Sequence, residues 1–592
     1  MLASAHTPVL LLELWPDKAQ YRPDEPIGMS LRILHQGTSV LEGMLDVKLH
    51  HLERLVWHRS QPLPLGPGTS EIALLFPGQP DTWAGFGITA TFRVKGMPDV
   101  MASTAVDVAA DWSITPRYGF LSDFSPPGAR EDGNASLVQE EVRSLARFHL
   151  NIIQFYDWMY RHDTLLPPQD IFVDPLGRTL SLEAVTARIE ACEEAGMKTM
   201  AYGAIYGASA AFQAEHPTWS FHRNDGVPLS FGNWLYIMNT SAQSPWREHI
   251  TNQFAEAVRV LGFDGIHLDT YGWPKVAYAS PEAGGALECL ETHFPGFVDG
   301  VRTALSDARP APILLFNAVG DWPSDAAALT GTEAAYVEVW DPNDRYIHLH
   351  QLIQKSRRTQ AKPVILAAYL APFTKTRREE STYVQADAGE YCEHGALRCL
   401  QYTAAVIAAS GGHHLVLGGR NGVLTNNYYC EHATLTPWQA QGVLRYADFM
   451  VRYTELLYHP SLRDLSMTHA NGINTEFRFE GAETASEAVA GKVWTCIRQG
   501  DGMMLLHLIN LTGIRDDRWN LSRNEPASPV ACLTIDALVY ERVSGVFHAS
   551  PDGPDGGLTP LEWEWVPHTW GRAIRFSIRD IDVWSMVYIR LA

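Results

Sequence analysis

From about residue 113 to 460, short apolar segments alternate with helical ones, and this alternation limits the fold more than any other feature of the 592-residue chain. Eight segments read as strands: Tyr118–Phe124, Ile152–Trp158, Thr199–Tyr206, Gly265–Tyr271, Ile313–Val319, Ala335–Trp340, Val364–Tyr369 and His413–Leu417. Helical patterns such as Leu182–Ala195 and Trp246–Leu261 fall between most of them. Repeated βα units of this kind build a parallel sheet, and eight of them predict a central (β/α)8 TIM barrel. An open, doubly wound sheet is the structural rival. It usually announces itself with GxGxxG after a strand, and none of the eight segments is followed by one.

The flanks have a different texture. Residues 1–112 carry period-two runs, including Leu45–Leu49 and Phe86–Val94, broken by Pro and Gly clusters. They predict an N-terminal immunoglobulin-like β-sandwich. Alternation returns after 460, in Gly502–Leu511 and Val583–Leu591. The chain is therefore expected to be multidomain: an N-terminal β-sandwich over 1–112, the barrel over 113–460, and a C-terminal β-sandwich domain over 461–592.

The net charge of −21 argues against nucleic acid and against an anionic membrane surface, since both need clustered Lys and Arg. No run of 18 apolar residues is present, so no membrane span is expected. The apolar run Val9–Leu12 is too short for a signal sequence and lacks a basic flank. That leaves a cytoplasmic protein or one whose leader has been removed. The 7 cysteines contain no CxxC pair. No motif asks for a cofactor, and none is expected; no sequence feature specifies an oligomeric state. The 18 Trp and 22 Tyr supply aromatic faces of the sort that stack on sugar rings.

In a barrel of this type the reacting groups stand at the C-terminal strand ends. Asp269 closes the segment Gly262-Phe-Asp-Gly-Ile-His-Leu-Asp, and it shares a face with Gly265 and His267 by the two-residue period. Asp264 has the opposite parity and reads as structural. A loop cap is the alternative reading of Asp269; His267 with Asp269 is thin evidence for a metal pair, because no third ligand follows at suitable spacing. Glu338 lies inside the apolar segment Ala334-Ala-Tyr-Val-Glu-Val-Trp. A carboxyl placed there is either paired in the core or raised in pKa, and the second state suits a general acid. The fourth and sixth strands can point into one layer of the barrel. Their backbones are roughly 9–10 Å apart at ~4.8 Å per strand, so the carboxyls can approach the ~5–5.5 Å of a retaining glycosidase.

The ordered segments Tyr118-Gly-Phe-Leu-Ser-Asp-Phe, Gln154-Phe-Tyr-Asp-Trp, Ala201-Tyr-Gly-Ala-Ile-Tyr-Gly, Gly262-Phe-Asp-Gly-Ile-His-Leu-Asp-Thr, Phe316-Asn-Ala-Val and Tyr336-Val-Glu-Val-Trp resemble glycoside hydrolase family 66. That family holds endo-dextranases and cycloisomaltooligosaccharide glucanotransferases. The resemblance implies a retaining enzyme acting on α-1,6-glucan, with Asp269 as nucleophile and Glu338 as acid/base. It also implies that Asp157 holds sugar hydroxyls, although a strand-end cap or a salt bridge with Arg161 would explain that residue as well. Tyr156, Trp158, Tyr206 and Trp273 are candidate stacking platforms. His267, Asn317, Trp340 and Tyr369 complete the expected substrate-binding set.

Two departures from the family pattern bear on function. Gly419 stands where the family usually carries an acid after the eighth strand. The interval between the seventh and eighth segments is too short for the carbohydrate-binding module that cyclising members insert there. The sequence therefore favours hydrolysis of dextran or isomaltooligosaccharides. Cyclising glucan transfer, or action on another α-glucan, is the alternative.

Overall fold

The computed structural model describes residues 10–128, 135–375, 391–466, 476–525 and 527–592. The chain is multidomain and mostly sheet. Strand β1 is Tyr118–Leu121, β2 Ile152–Phe155, β3 Lys198–Ala204, β4 Gly265–Asp269, β5 Ile313–Val319, β6 Ala335–Glu338 and β7 Val364–Ala367. The eighth, β8, runs as His413–Leu415 and then Leu417–Gly418. All eight expected strands are present, most of them ending a few residues before their predicted C-terminal limits.

Neighbouring strands pair in parallel in chain order from β1 to β7. β8 has two parallel neighbours. His413–Leu415 lies beside Ile365–Ala367 of β7, and Gly418 lies beside Phe120 of β1. Helices connect most of the strands. Leu182–Glu194 and Pro245–Leu261 are capped by the side chains of Ser181 and Ser244, and the latter helix ends at Gly262 in the left-handed conformation. Gly265 permits the closest approach in the sheet, because a Cβ there would meet the Ile313 carbonyl oxygen at 1.9 Å. The strands are apolar on both faces, as a sheet covered by helices requires.

Residues 10–109 form two antiparallel sheets. One contains Leu10–Pro16, Ile27–His35 and Gly68–Phe76; the other contains Leu41–His51, Arg54–Leu65, Trp83–Val94 and Val100–Ala109. Leu12, Ile27 and Leu31 of the first share a buried cluster with Leu45, Phe86 and Ile88 of the second. The region joins the central sheet through Arg117, which pairs with the buried Asp107 at 2.8 Å. Two further sheets between Arg463 and Leu591, antiparallel except where Thr484–Ala485 pairs in parallel with Val493–Trp494, share a cluster around Ile497, Leu506, Ile535 and Ile578. Among the described residues, no helix is long and apolar enough to cross a membrane.

Candidate active site

A cleft of about 1010 Å³ opens where the C-terminal ends of β2 to β6 converge. Period-two alternation along β4 puts His267 and Asp269 on its inner side, one above the other. Glu338 ends β6 and Asn317 lies in β5 between them. Asn317 holds the two acids together: its Nδ2 donates to Asp269 Oδ1 at 2.7 Å and to Glu338 Oε2 at 3.0 Å. Both bonds leave from one nitrogen, so the acceptor oxygens lie under about 6 Å apart. Each acid also has a tyrosine hydroxyl as donor. Tyr202 gives its hydroxyl to Asp269 Oδ2 at 2.7 Å, and Tyr369 gives its own to Glu338 Oε1 at 2.7 Å.

Burial raises both carboxyls. The Asp269 carboxyl is pushed up to about 7, first by burial and then by the Glu338 charge, against the hydrogen bonds from Asn317 and Tyr202. Burial likewise raises Glu338, while Tyr369, Asn317 and Trp340 hold it down. Two like charges this close disfavour double ionisation, so the pair retains a proton into the neutral range. Glu338 is the more buried of the two and the intrinsically weaker acid.

Of the residues expected from sequence, Tyr156, Asp157, His267, Asp269, Asn317, Glu338, Trp340 and Tyr369 all line this cleft. Asp157, two residues after β2, has a left-handed backbone (φ 50°). Its carboxyl is pushed up to about 7 by burial, against the attraction of Arg178. Arg178, at 4.0 Å, is its cationic neighbour. The expected alternative, Arg161, instead packs over the Tyr160 ring. His267 is buried beneath the acids, where its Nδ1 meets the Tyr118 hydroxyl at 3.1 Å. Burial pushes its pKa down to about 3, which keeps the ring neutral. Among the described residues, no group of three or more His, Cys, Asp or Glu is gathered to hold a metal ion.

Three expected stacking residues are not part of the lining. Trp158 is fully buried and gives its indole N–H to the Tyr202 carbonyl at 3.2 Å, so it packs in the core. Tyr206 is also fully buried; its hydroxyl donates to the Trp273 carbonyl and accepts from the Tyr271 amide. It props the loop after β4 from below. Trp273 is 42% exposed at the rim, edge-on to Phe231 of the lining. The strand-end position of all three was legible, but which side of the turn each ring took was not.

Other lining residues carried no assignment from sequence: Tyr202, Trp234, Tyr271, Tyr336, Tyr428 and Tyr429 among them. Tyr202 pairs in register with His267, so strand parity alone could have pointed it inward. Tyr428 and Tyr429 come from the loop after β8, where no period operates. Tyr429 stacks on Tyr156 with ring centroids 4.3 Å apart. Three amide oxygens in the lining, from Gln154, Asn317 and Asn427, are buried with no hydrogen-bond donor. Acceptors left in this state suit a ligand rich in hydroxyl groups.

Gly419 does not line the cleft. A Cβ at this position would lie 2.7 Å from Leu121 Cδ2 and 2.8 Å from Glu141 Cγ. Glu141 fills the space and pairs with Arg188 at 2.9 Å.

The sequence profile of Glycosyl hydrolase family 66 matches residues 16–588. The chain belongs to this family. As a member of family 66 it is a glycosidase-type enzyme. Two cycloisomaltooligosaccharide glucanotransferases of Niallia circulans are similar to it. One is 22% identical over 728 residues, covering 99% of this chain and 73% of the relative. The other is 23% identical over 716 residues, covering 98% and 71%. Both aligned stretches exceed the 592 residues of this chain, so these relatives carry long segments with no counterpart here. A Paenibacillus sp. cycloisomaltooligosaccharide glucanotransferase complexed with cycloisomaltoheptaose has the same overall fold. Its TM-score is 0.85 at 20% identity, covering 97% of this chain and 99% of the other.

Proposed function

We propose that this family 66 enzyme cleaves α-1,6-glucan by a retaining mechanism and passes the cleaved chain to a hydroxyl of that same chain, as a cyclising glucanotransferase. The observation that carries the mechanism is the Asp269–Asn317–Glu338 chain of hydrogen bonds. Acceptor oxygens under about 6 Å apart suit a nucleophile with an acid/base, whereas inverting pairs need ~6.5–9.5 Å to admit a water. Asp269 attacks the anomeric carbon and forms a glycosyl ester as the glycosidic C–O bond breaks. The leaving oxygen takes the proton of Glu338. Glu338, now ionised, removes the proton of the incoming hydroxyl, which displaces Asp269 from the anomeric carbon. Asp157 and the unpartnered amide oxygens are assigned to sugar hydroxyls, and Tyr156, Trp340 and Tyr369 to ring faces and edges.

The choice of acceptor rests on the relatives. Both curated relatives are named as glucanotransferases, which favours transfer over the dextran hydrolysis that the short β7–β8 interval suggested. Hydrolysis remains the second reading because those relatives carry segments missing here. The same reading extends to the architecture. We infer a (β/α)8 barrel over 113–460, supported by β8 pairing with both β7 and β1. β-sandwich domains over 1–112 and 461–592 are supported by the two shared-core sheet pairs.

Incubation with dextran and mass analysis of the products tests the acceptor. Cyclic isomaltooligosaccharides, 18 Da lighter than linear ones of equal length, support the proposal. Linear products alone would replace it with hydrolysis, and no turnover of any α-1,6-glucan would overturn both readings.

A further inference from the structure

A second cavity of about 1130 Å³ lies at the opposite end of the central sheet. Lys362 and Pro363 line it just before the first residue of β7, whereas Tyr369, in the active-site cleft, follows the last. The two cavities share no residue. Helix Tyr346–Gln360 forms one wall, Thr82 and Trp83 of the N-terminal sheet a second, and Leu462 to Asp464 a third.

The sign of its charge is opposite to that of the molecule. In a chain of net charge −21, four cations line the cavity, Arg357, Arg358, Lys362 and Arg463, against one carboxylate, Asp464. That carboxylate is already engaged with His350 at 2.9 Å. Among the described residues, none of the four cations has a carboxylate partner. Arg357 and Arg463 donate to backbone carbonyls, and Lys362 to the Thr330 carbonyl at 2.8 Å. Arg358 is exposed and makes no described bond. Glu333, the acid that acts on Lys362, is paired with Arg302 at 2.8 Å.

A fifth cation supports the pattern independently. Arg498 is 1% exposed, and its Nη2 has no hydrogen-bond partner. It lies against Gly411, which lines the cavity: a Cβ on that glycine would sit 2.6 Å from Nη2. Burial, and then the charge of Arg357, push Arg498 down to about 10. Buried and clustered cations without counter-charges are costly unless an anion completes the site.

We propose that this cavity binds a small phosphorylated organic molecule of the sugar phosphate class. Arg357, Arg358, Lys362 and Arg463 hold the phosphate, and Trp83 and Tyr458 pack against the carbon skeleton. Guanidinium forks and an ammonium match a phosphate group well. The volume far exceeds that of an inorganic ion, and the aromatic walls have no use for one. The active-site cleft, lined by Asp157, Asp269 and Glu338, has no Lys or Arg in its lining to hold the same phosphate.

Thermal unfolding of the full chain tests this, with glucose 6-phosphate, inorganic phosphate and sodium chloride compared at equal ionic strength. Glucose 6-phosphate is expected to raise Tm progressively, phosphate less at equal concentration, and chloride not at all. Arg358→Glu removes an exposed side chain with no bonds to lose, so it folds as the parent does. It should weaken the half-saturating concentration roughly tenfold or more, the equivalent of one charge-assisted hydrogen bond. Arg358→Glu with Lys362→Glu should abolish the shift while turnover of α-glucan is unchanged. An equal response to phosphate and glucose 6-phosphate would make the site one for inorganic phosphate and refute the sugar phosphate assignment. No shift with either, or a shift unchanged in both variants, would overturn the site itself.

Discussion

Replacing Tyr369 by Phe isolates the proton carried by Glu338. The Tyr369 hydroxyl donates to Glu338 Oε1 at 2.7 Å, and it is one of the bonds that hold down a pKa otherwise raised by burial. A hydrogen bond to a charged acceptor is worth about 1.5–3 kcal/mol, and one pKa unit corresponds to about 1.4 kcal/mol. Removing the hydroxyl therefore lifts Glu338 by about 1–2 units. Water replaces it poorly, because Tyr369 is 8% exposed and Glu338 7%. Glu338 must be protonated to release the leaving group, so activity is lost as pH rises through its pKa. The basic limb of the kcat/KM profile should consequently move to higher pH by about 1–2 units, with the acidic limb nearly in place. The assay is initial rate on a soluble α-1,6-glucan against pH. A basic limb that stays put or moves to lower pH would refute the assignment of Glu338 as the acid.

The matching variant on the other acid is Tyr202→Phe, which removes the hydroxyl held at 2.7 Å by Asp269 Oδ2. Asp269 must be ionised to attack, and its loss of a donor should move the acidic limb upward by about 1–2 units; an unchanged acidic limb would contradict its role. Asn317→Ala removes both bridging bonds, so both limbs should rise and kcat should fall by about 10²-fold or more; normal rates would show that the bridge has no function. Gly419→Glu, which introduces the family's usual acid, drives a Cβ into Leu121 and Glu141 and should cost about 1–3 kcal/mol. An unchanged Tm in that variant would refute the packing argument.

The strands were legible in the sequence because each is a short apolar run fixed by its own residues; a two-residue period oriented Asp269, and an apolar setting marked Glu338. Trp158 and Tyr206 are buried outside the cleft lining, because beyond a strand end the period no longer decides where a ring goes. Tyr428 and Tyr429 were missed for the related reason that a loop after β8 has no period at all. The bridging position of Asn317 needed three strands in register, which local sequence does not encode. Gly419 read as a lost acid, but its meaning came from Glu141, a residue 278 positions earlier that occupies the space.

The central claim is that Asp269 carries the glycosyl group. Glu338→Gln slows the second step, so treatment of that variant with an activated fluorinated α-glucosyl substrate should trap the ester. Mass spectrometry of the digested protein should find one glucosyl unit on the peptide containing Asp269. A label on another residue, or first-released product with the inverted anomeric configuration, would contradict the account.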